Sequence, residues 1–205
     1  MRAHLRSGVA IYDEGRYHAA HDAWEDHWLD LETGTEDERL LHGLIQFTAV
    51  AHHAYEGNWS GAAGLAESAG EYLADLPADY RGVNLDDVRP FLAAVARDPE
   101  HVERVPLPRL SHEGTVLGYE DLDFAATAVA AAVLAEENGH DADAVERAIE
   151  YAREEIETEG GGTFTGLVFS VVRERERRAV VAQRLVEHVE RRRAREDDVS
   201  GLFEE

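Results

Sequence analysis

Residues 35–58 read TEDERLLHGLIQFTAVAHHAYEGN. Thr35 followed three positions later by Glu38 forms a capping box, which starts a helix because the hydroxyl accepts a backbone N–H that has no intrahelical partner. Behind it Leu40, Leu41, Leu44, Ile45, Phe47 and Val50 are apolar around most of the circumference, and Gly57-Asn58 stops the run. A rod apolar on nearly every side is surrounded by others, so this segment is expected to be the third and most buried helix of a bundle.

The neighbours follow from the same periodicity. Residues 2–14 carry Leu5, Val9 and Tyr12 at helical spacing before Gly15, residues 17–31 restart the helix, and residues 59–76 form an alanine-rich fourth helix ending before Pro77. The short connections favour antiparallel neighbours. The expected fold class is all-α: an antiparallel helical bundle with an extended connector and additional C-terminal helices. Residues 1–76 make the four-helix unit. Residues 77–121 are the connector, with a short helix at about 85–97 and a stretch, RVPLPRLSHEGTVLGYE, in which Pro106 and Pro108 force extension. A hairpin or an extended arm both fit it. Residues 122–205 hold further helices, expected to pack on the first region as one unit, with Gly160–Gly162 as a hinge before a last helix over about 164–196.

The 205 residues include 43 acidic and 20 basic side chains, every basic one an arginine, for a net charge of −23. The carboxylates are spread along the whole chain. Such a charge pushes the folded state apart in dilute buffer, whereas at 1 M salt the screening length is about 3 Å and the repulsion fades. The expectation is a cytoplasmic protein of an extreme halophile. No cysteine is present, which excludes disulfides and thiolate chemistry, so any metal must be held by histidine and carboxylate. No window reaches the ~18 apolar residues of a membrane span, and the first residues lack a signal-peptide core.

Candidate chemistry sits in RYHAAHDAWEDHW, residues 16–28. Tyr17, His21, Trp24 and Trp28 form one helical stripe, and His21, Asp22 and Glu25 emerge along its border. His18, Asp26 and His27 are expected to face water. On the third helix His42, Gln46 and His53 share a face within about 40°, and buried polar groups there require partners. The polar edge of the second helix supplies them if the two helices pack together. This places a pocket between helices two and three, with His21 as base or ligand, Asp22 and Glu25 as charge partners, Gln46 and His53 as orienting or ligand groups, and Tyr17 and Trp28 as walls. It suits a small polar ligand or a divalent metal, with hydrolysis as the reaction class. The alternative is a non-catalytic interaction or scaffold domain, self-associating as a homo-oligomer, whose polar network only sets helix register. Glu-x-x-His is absent from the first four helices and His-Glu-x-x-His from the whole chain, so neither the di-iron nor the zincin pattern applies. Residues 173–195 hold nine arginines against four glutamates. Nucleic-acid contacts there would weaken steeply in salt, and pairing with acidic side chains of the same or a neighbouring chain is expected instead.

The series Tyr12, Gly15, Tyr17, Ala20-His21-Asp22, Glu25, Trp28, then Gly43-Leu44-Ile45-Gln46, His53, Gly57-Asn58 and Gly61-Ala62, resembles the domain-of-unknown-function family numbered 309. The resemblance covers roughly residues 5–76 and implies a small all-helical domain in which His21, Asp22, Glu25, Trp28 and Gln46 occupy the family's polar-aromatic positions. It implies no reaction. Asp22 stands where the family usually has glutamate, and Trp24 replaces an aliphatic residue.

Overall fold

In the computed structural model, which describes residues 1–201, the elements come in the order the periodicity predicts. Four helices, α1 (Arg2–Asp13), α2 (Tyr17–Trp28), α3 (Glu36–Tyr55) and α4 (Trp59–Leu73), pack in sequence, each on the next. Side chains at opposite ends show that neighbours run antiparallel. His4 stacks on His27 at 4.9 Å while Tyr12 meets Tyr17 at 5.2 Å. Trp28 meets His42 at 4.8 Å while Tyr17 lies 6.1 Å from Tyr55. At the other end of α4, Tyr72 stacks on His42 at 3.9 Å.

The third helix is the central one. Leu40, Leu41, Leu44, Phe47 and Val50 are fully buried, each side chain contributing roughly 1.5–3 kcal/mol by leaving water. Close approach of α1 to α2 depends on Gly8, where an added Cβ would lie 2.1 Å from the indole nitrogen of the buried Trp24. Thr35 accepts from the Glu38 backbone N–H at 3.3 Å, but the carboxylate does not complete the capping box, because it is turned inward to other donors. The fourth helix ends at Leu73, earlier than the apolar pattern suggests. Arg89 of α5 (Leu85–Arg97) donates to the carbonyls of Leu73, Leu76 and Pro77, satisfying that end.

The connector is an arm with a tight turn. After α6 (His101–Arg104) the chain extends along α1, where Tyr12 donates to the Pro108 carbonyl at 3.0 Å and Asp13 accepts from Leu110 N–H at 3.0 Å. Glu113-Gly114 and Arg81-Gly82 both take positive φ, giving two turns held together by Glu113 N–H to Gly82 carbonyl at 2.8 Å. The pairings are two isolated antiparallel bridges, Val83 with His112 and His112 with Thr115, and no strand forms among the described residues. These elements and the 3-10 turn Tyr119–Asp121 complete a unit spanning Met1–Leu122.

The second unit, residues 123–205, contains α7 (Phe124–Glu137), α8 (Ala142–Glu159), α9 (Thr163–Arg173) and α10 (Arg178–Gly201). Asp123 and Asp141 cap α7 and α8. The triple glycine forms an exposed turn, spanned by one side chain. Gly160 takes the left-handed conformation, and Glu155 reaches across to the N–H groups of Phe164 and Thr165 at 3.1 and 2.9 Å. The long last helix expected from about 164 is broken at residues 174–177, where buried Arg178 donates to the carbonyls of Val171 and Val172, an alternative to continuing the helical ladder. Arg192 lies 3.7 Å over the Tyr151 ring and pairs with Glu154 and Glu196. No helix among the described residues is long and apolar enough to cross a membrane.

Candidate functional site

Helix α2 buries Ala19, Ala20, Ala23 and Trp24 on one side, and this places His18, His21, Asp22 and Glu25 on the other. The bland alternative for such a row is a solvated face. Two observations set it apart: the row lines a cavity of about 390 Å³ closed by Thr48, Ala49 and His52 of α3, and its donors converge. One ligand atom each from His21, Asp22 and Glu25 lies within 4.8 Å of the other two. His21 Nε2 is 3.6 Å from Glu25 Oε1, and His18 Nδ1 bonds Asp22 Oδ2 at 2.9 Å. An imidazole nitrogen with two carboxylates is a donor set for a borderline or hard divalent cation, and three protein ligands leave positions open for a substrate.

Tyr17, Thr48 and His52 supply the remaining walls. Tyr17 has its hydroxyl pushed up to about 12, first by burial and then by its neighbour Tyr55. Thr48 spends its hydroxyl on the Ile45 carbonyl at 2.7 Å and acts as wall only. His52, opposite the α2 donors, lies 3.5 Å from Glu56. Spacing carries a signal for this residue, since His52 stands four positions from Thr48 and from Glu56.

The other sequence-predicted site residues lie elsewhere. Trp28 donates its indole N–H to Glu38 at 2.9 Å, and Gln46 meets His42, with 3.2 Å between Nε2 atoms. His53 accepts from Asn58 at 2.7 Å and braces the α3–α4 corner. The expected partnership of His42 and Gln46 with His21, Asp22 and Glu25 is replaced by one with Glu38, Trp28 and Tyr72. The cause is axial. Seven residues along α2 advance the chain by about 10 Å, so Trp28 reaches the first turns of α3 while His21 faces its later half. Of the residues expected to face water, Asp26 and His18 do, His18 from the rim of the cavity, whereas His27 stacks on His4 and is only half-exposed.

Glu38, hidden in the sequence as a capping residue, is buried. Burial works against its charge, but donors from Trp28, Gly34 and His42 together outweigh it and hold the carboxyl below its usual range. His4 and His27 are pushed down, in each case chiefly by burial.

Residues 5–65 match the model of a family described as a domain of unknown function (DUF309), which bears out the resemblance read in the sequence. An uncharacterized protein of Aquifex aeolicus is 29% identical over 91 residues. That match covers 44% of this chain and 27% of the relative's length.

Proposed function

We propose that the α2–α3 cavity binds a divalent cation through His21, Asp22 and Glu25 and presents it to a small polar substrate. The observation that carries this is the convergence of the three donor atoms within 4.8 Å at the wall of an open cavity. A divalent cation there supplies Lewis acidity, and hydrolysis is the reaction class that most directly uses it. His18 and His52 stand on facing helices at the cavity wall, placed to give or take a proton from a bound substrate, while Tyr17 closes one side.

Calorimetric titration of chelator-treated protein with zinc and manganese tests the reading. Saturable binding that is lost in His21→Ala and Glu25→Gln and kept in His53→Ala is expected. Equal binding by all four proteins, or none by the parent, removes the site. The hydrolytic part is tested on the cation-loaded protein with p-nitrophenyl phosphate and p-nitrophenyl acetate, where turnover unchanged by His21→Ala counts against it.

A further inference from the structure

Helix α10 carries a row of cations that the chain itself leaves largely unpaired. Arg184, His188, Arg191 and Arg195 follow one another at intervals of four, three and four residues, within about 60° on one side of the helix. Their charges converge: after burial, Arg191, Arg184 and Arg195 all act to hold His188 below its usual range, with Glu187 opposing them. The three arginines are exposed. Arg191 meets Glu187, one turn away on its own helix, at 3.6 Å, and Arg184 and Arg195 make no ion pair or hydrogen bond among the described residues. The surroundings are acidic, for outside residues 173–195 the chain holds 39 acidic side chains against 11 arginines.

Helix α8 carries the counterpart. Asp143, Glu146, Glu150 and Glu157 share its outer side, again within about 60°, opposite the buried Ala144, Ala148 and Ala152. Asp143, Glu146 and Glu157 make no ion pair or hydrogen bond among the described residues, and Glu150 meets the exposed Arg147 at 2.6 Å. Arg153 is the one cation at the edge of that side. Laid antiparallel, the two rows match residue for residue, Arg184 against Glu150, His188 against Glu146 and Arg191 against Asp143, because both step by four and then three residues. The chain cannot make this match with itself. Arg192 pairs with Glu154 and Tyr151 donates to Glu196, so α8 and α10 run antiparallel in a register that sets Arg184 past Glu159, where α8 ends.

We infer that the cationic row of α10 docks on the acidic row of α8 in a second copy of this chain. Repulsion between two chains of charge −23 is long-ranged and fades at molar salt, where the screening length is about 3 Å, while pairs in contact sit near that distance and keep part of their attraction. A nucleic acid is disfavoured in the same place, since its phosphates would face the acidic remainder of the surface in salt that weakens such contacts steeply. The interface joins a different surface of each copy, in a register shifted from the in-chain one, so association runs head to tail and does not stop at a twofold pair. It is independent of His21, Asp22 and Glu25.

Light scattering of the full chain in molar potassium chloride, over a range of protein concentrations, tests this. Expected is a mass that grows past that of two copies. Association should weaken by about tenfold or more in the double variant Arg184→Glu with Arg191→Glu and in Glu146→Arg with Glu150→Arg, recover when the two double variants are mixed, and stay unchanged in His21→Ala. All four reversed side chains are exposed, and where circular dichroism shows that a double variant has lost its helices, the single variants Arg184→Glu and Glu150→Arg take its place. A parent that is monomeric at every concentration, reversed variants that associate like the parent, no recovery on mixing, or binding of a short DNA duplex in place of self-association overturns the inference.

Discussion

The indole N–H of Trp28 and the carboxylate of Glu38 meet at 2.9 Å, joining the end of α2 to the start of α3. The same carboxylate accepts from His42 and Gly34, so three donors depend on one buried group. Glu38→Ala strands all three and is expected to cost about 2–4 kcal/mol. Glu38→Gln, which keeps one acceptor, costs less. Urea unfolding followed by tryptophan fluorescence measures this, since Trp24, Trp28 and Trp59 all lie in the first unit.

Two glycines in helix interiors make opposite predictions. At Gly8 an added methyl would fall 2.1 Å from Trp24, and Gly8→Ala is expected to destabilise by about 1–3 kcal/mol. At Gly64 of α4 nothing lies within 4 Å of an added Cβ, and Gly64→Ala is expected to stabilise by roughly 0.5–1 kcal/mol. Parallel denaturation curves of the two variants check both signs.

Stability of the first unit should fall on mild acidification. Burial holds His4 and His112 below the ordinary histidine value of about 6.5. A depressed folded value means that stability is complete above the unfolded value and is lost as pH falls through the folded one, because the unfolded chain takes up the protons first. The urea midpoint is therefore expected to decline as pH falls below about 6.5, and less steeply in His112→Gln. Around the carboxylate range two groups oppose each other. Asp37, held low by its hydrogen bonds from Arg81, loses stability on protonation, whereas Asp13, raised by burial, gains it. Asp13→Asn should thus steepen the acid limb.

Salt dependence follows from composition. With 43 acidic side chains against 20 arginines, we propose that the chain is adapted to molar salt. The melting temperature is expected to rise with potassium chloride well beyond the concentration that screens surface charge in ordinary proteins. A protein most stable in dilute buffer would contradict this reading.

Periodicity was enough to read α1 to α4, because the 3.6-residue repeat and the caps are local, whereas the single turn at His101–Arg104 is too short to carry a repeat. The helix at Leu85–Arg97 and the caps at Asp123 and Asp141 are local in the same sense. What escaped were features made by side-chain contacts that reach beyond the three- and four-residue spacing of a helix. Arg178 ends α9 by bonding carbonyls six and seven residues back, whereas the charged run 173–178 reads in the sequence as one exposed stretch of a continuing helix. Glu38 reads as a capping residue until Trp28, ten positions earlier, is seen to claim its carboxylate.

From the amino-acid order alone came an all-helical chain, the antiparallel order of its first helices and the run His21, Asp22, Glu25 on one helical face, all consequences of spacing along a rod. Which residues of α3 lie opposite that face was decided only by the packed bundle. The axial offset between α2 and α3 sets His52 across from His21 and carries Trp28 and His42 to a separate groove, and an offset between rods is fixed by side-chain interlocking that no single helix encodes.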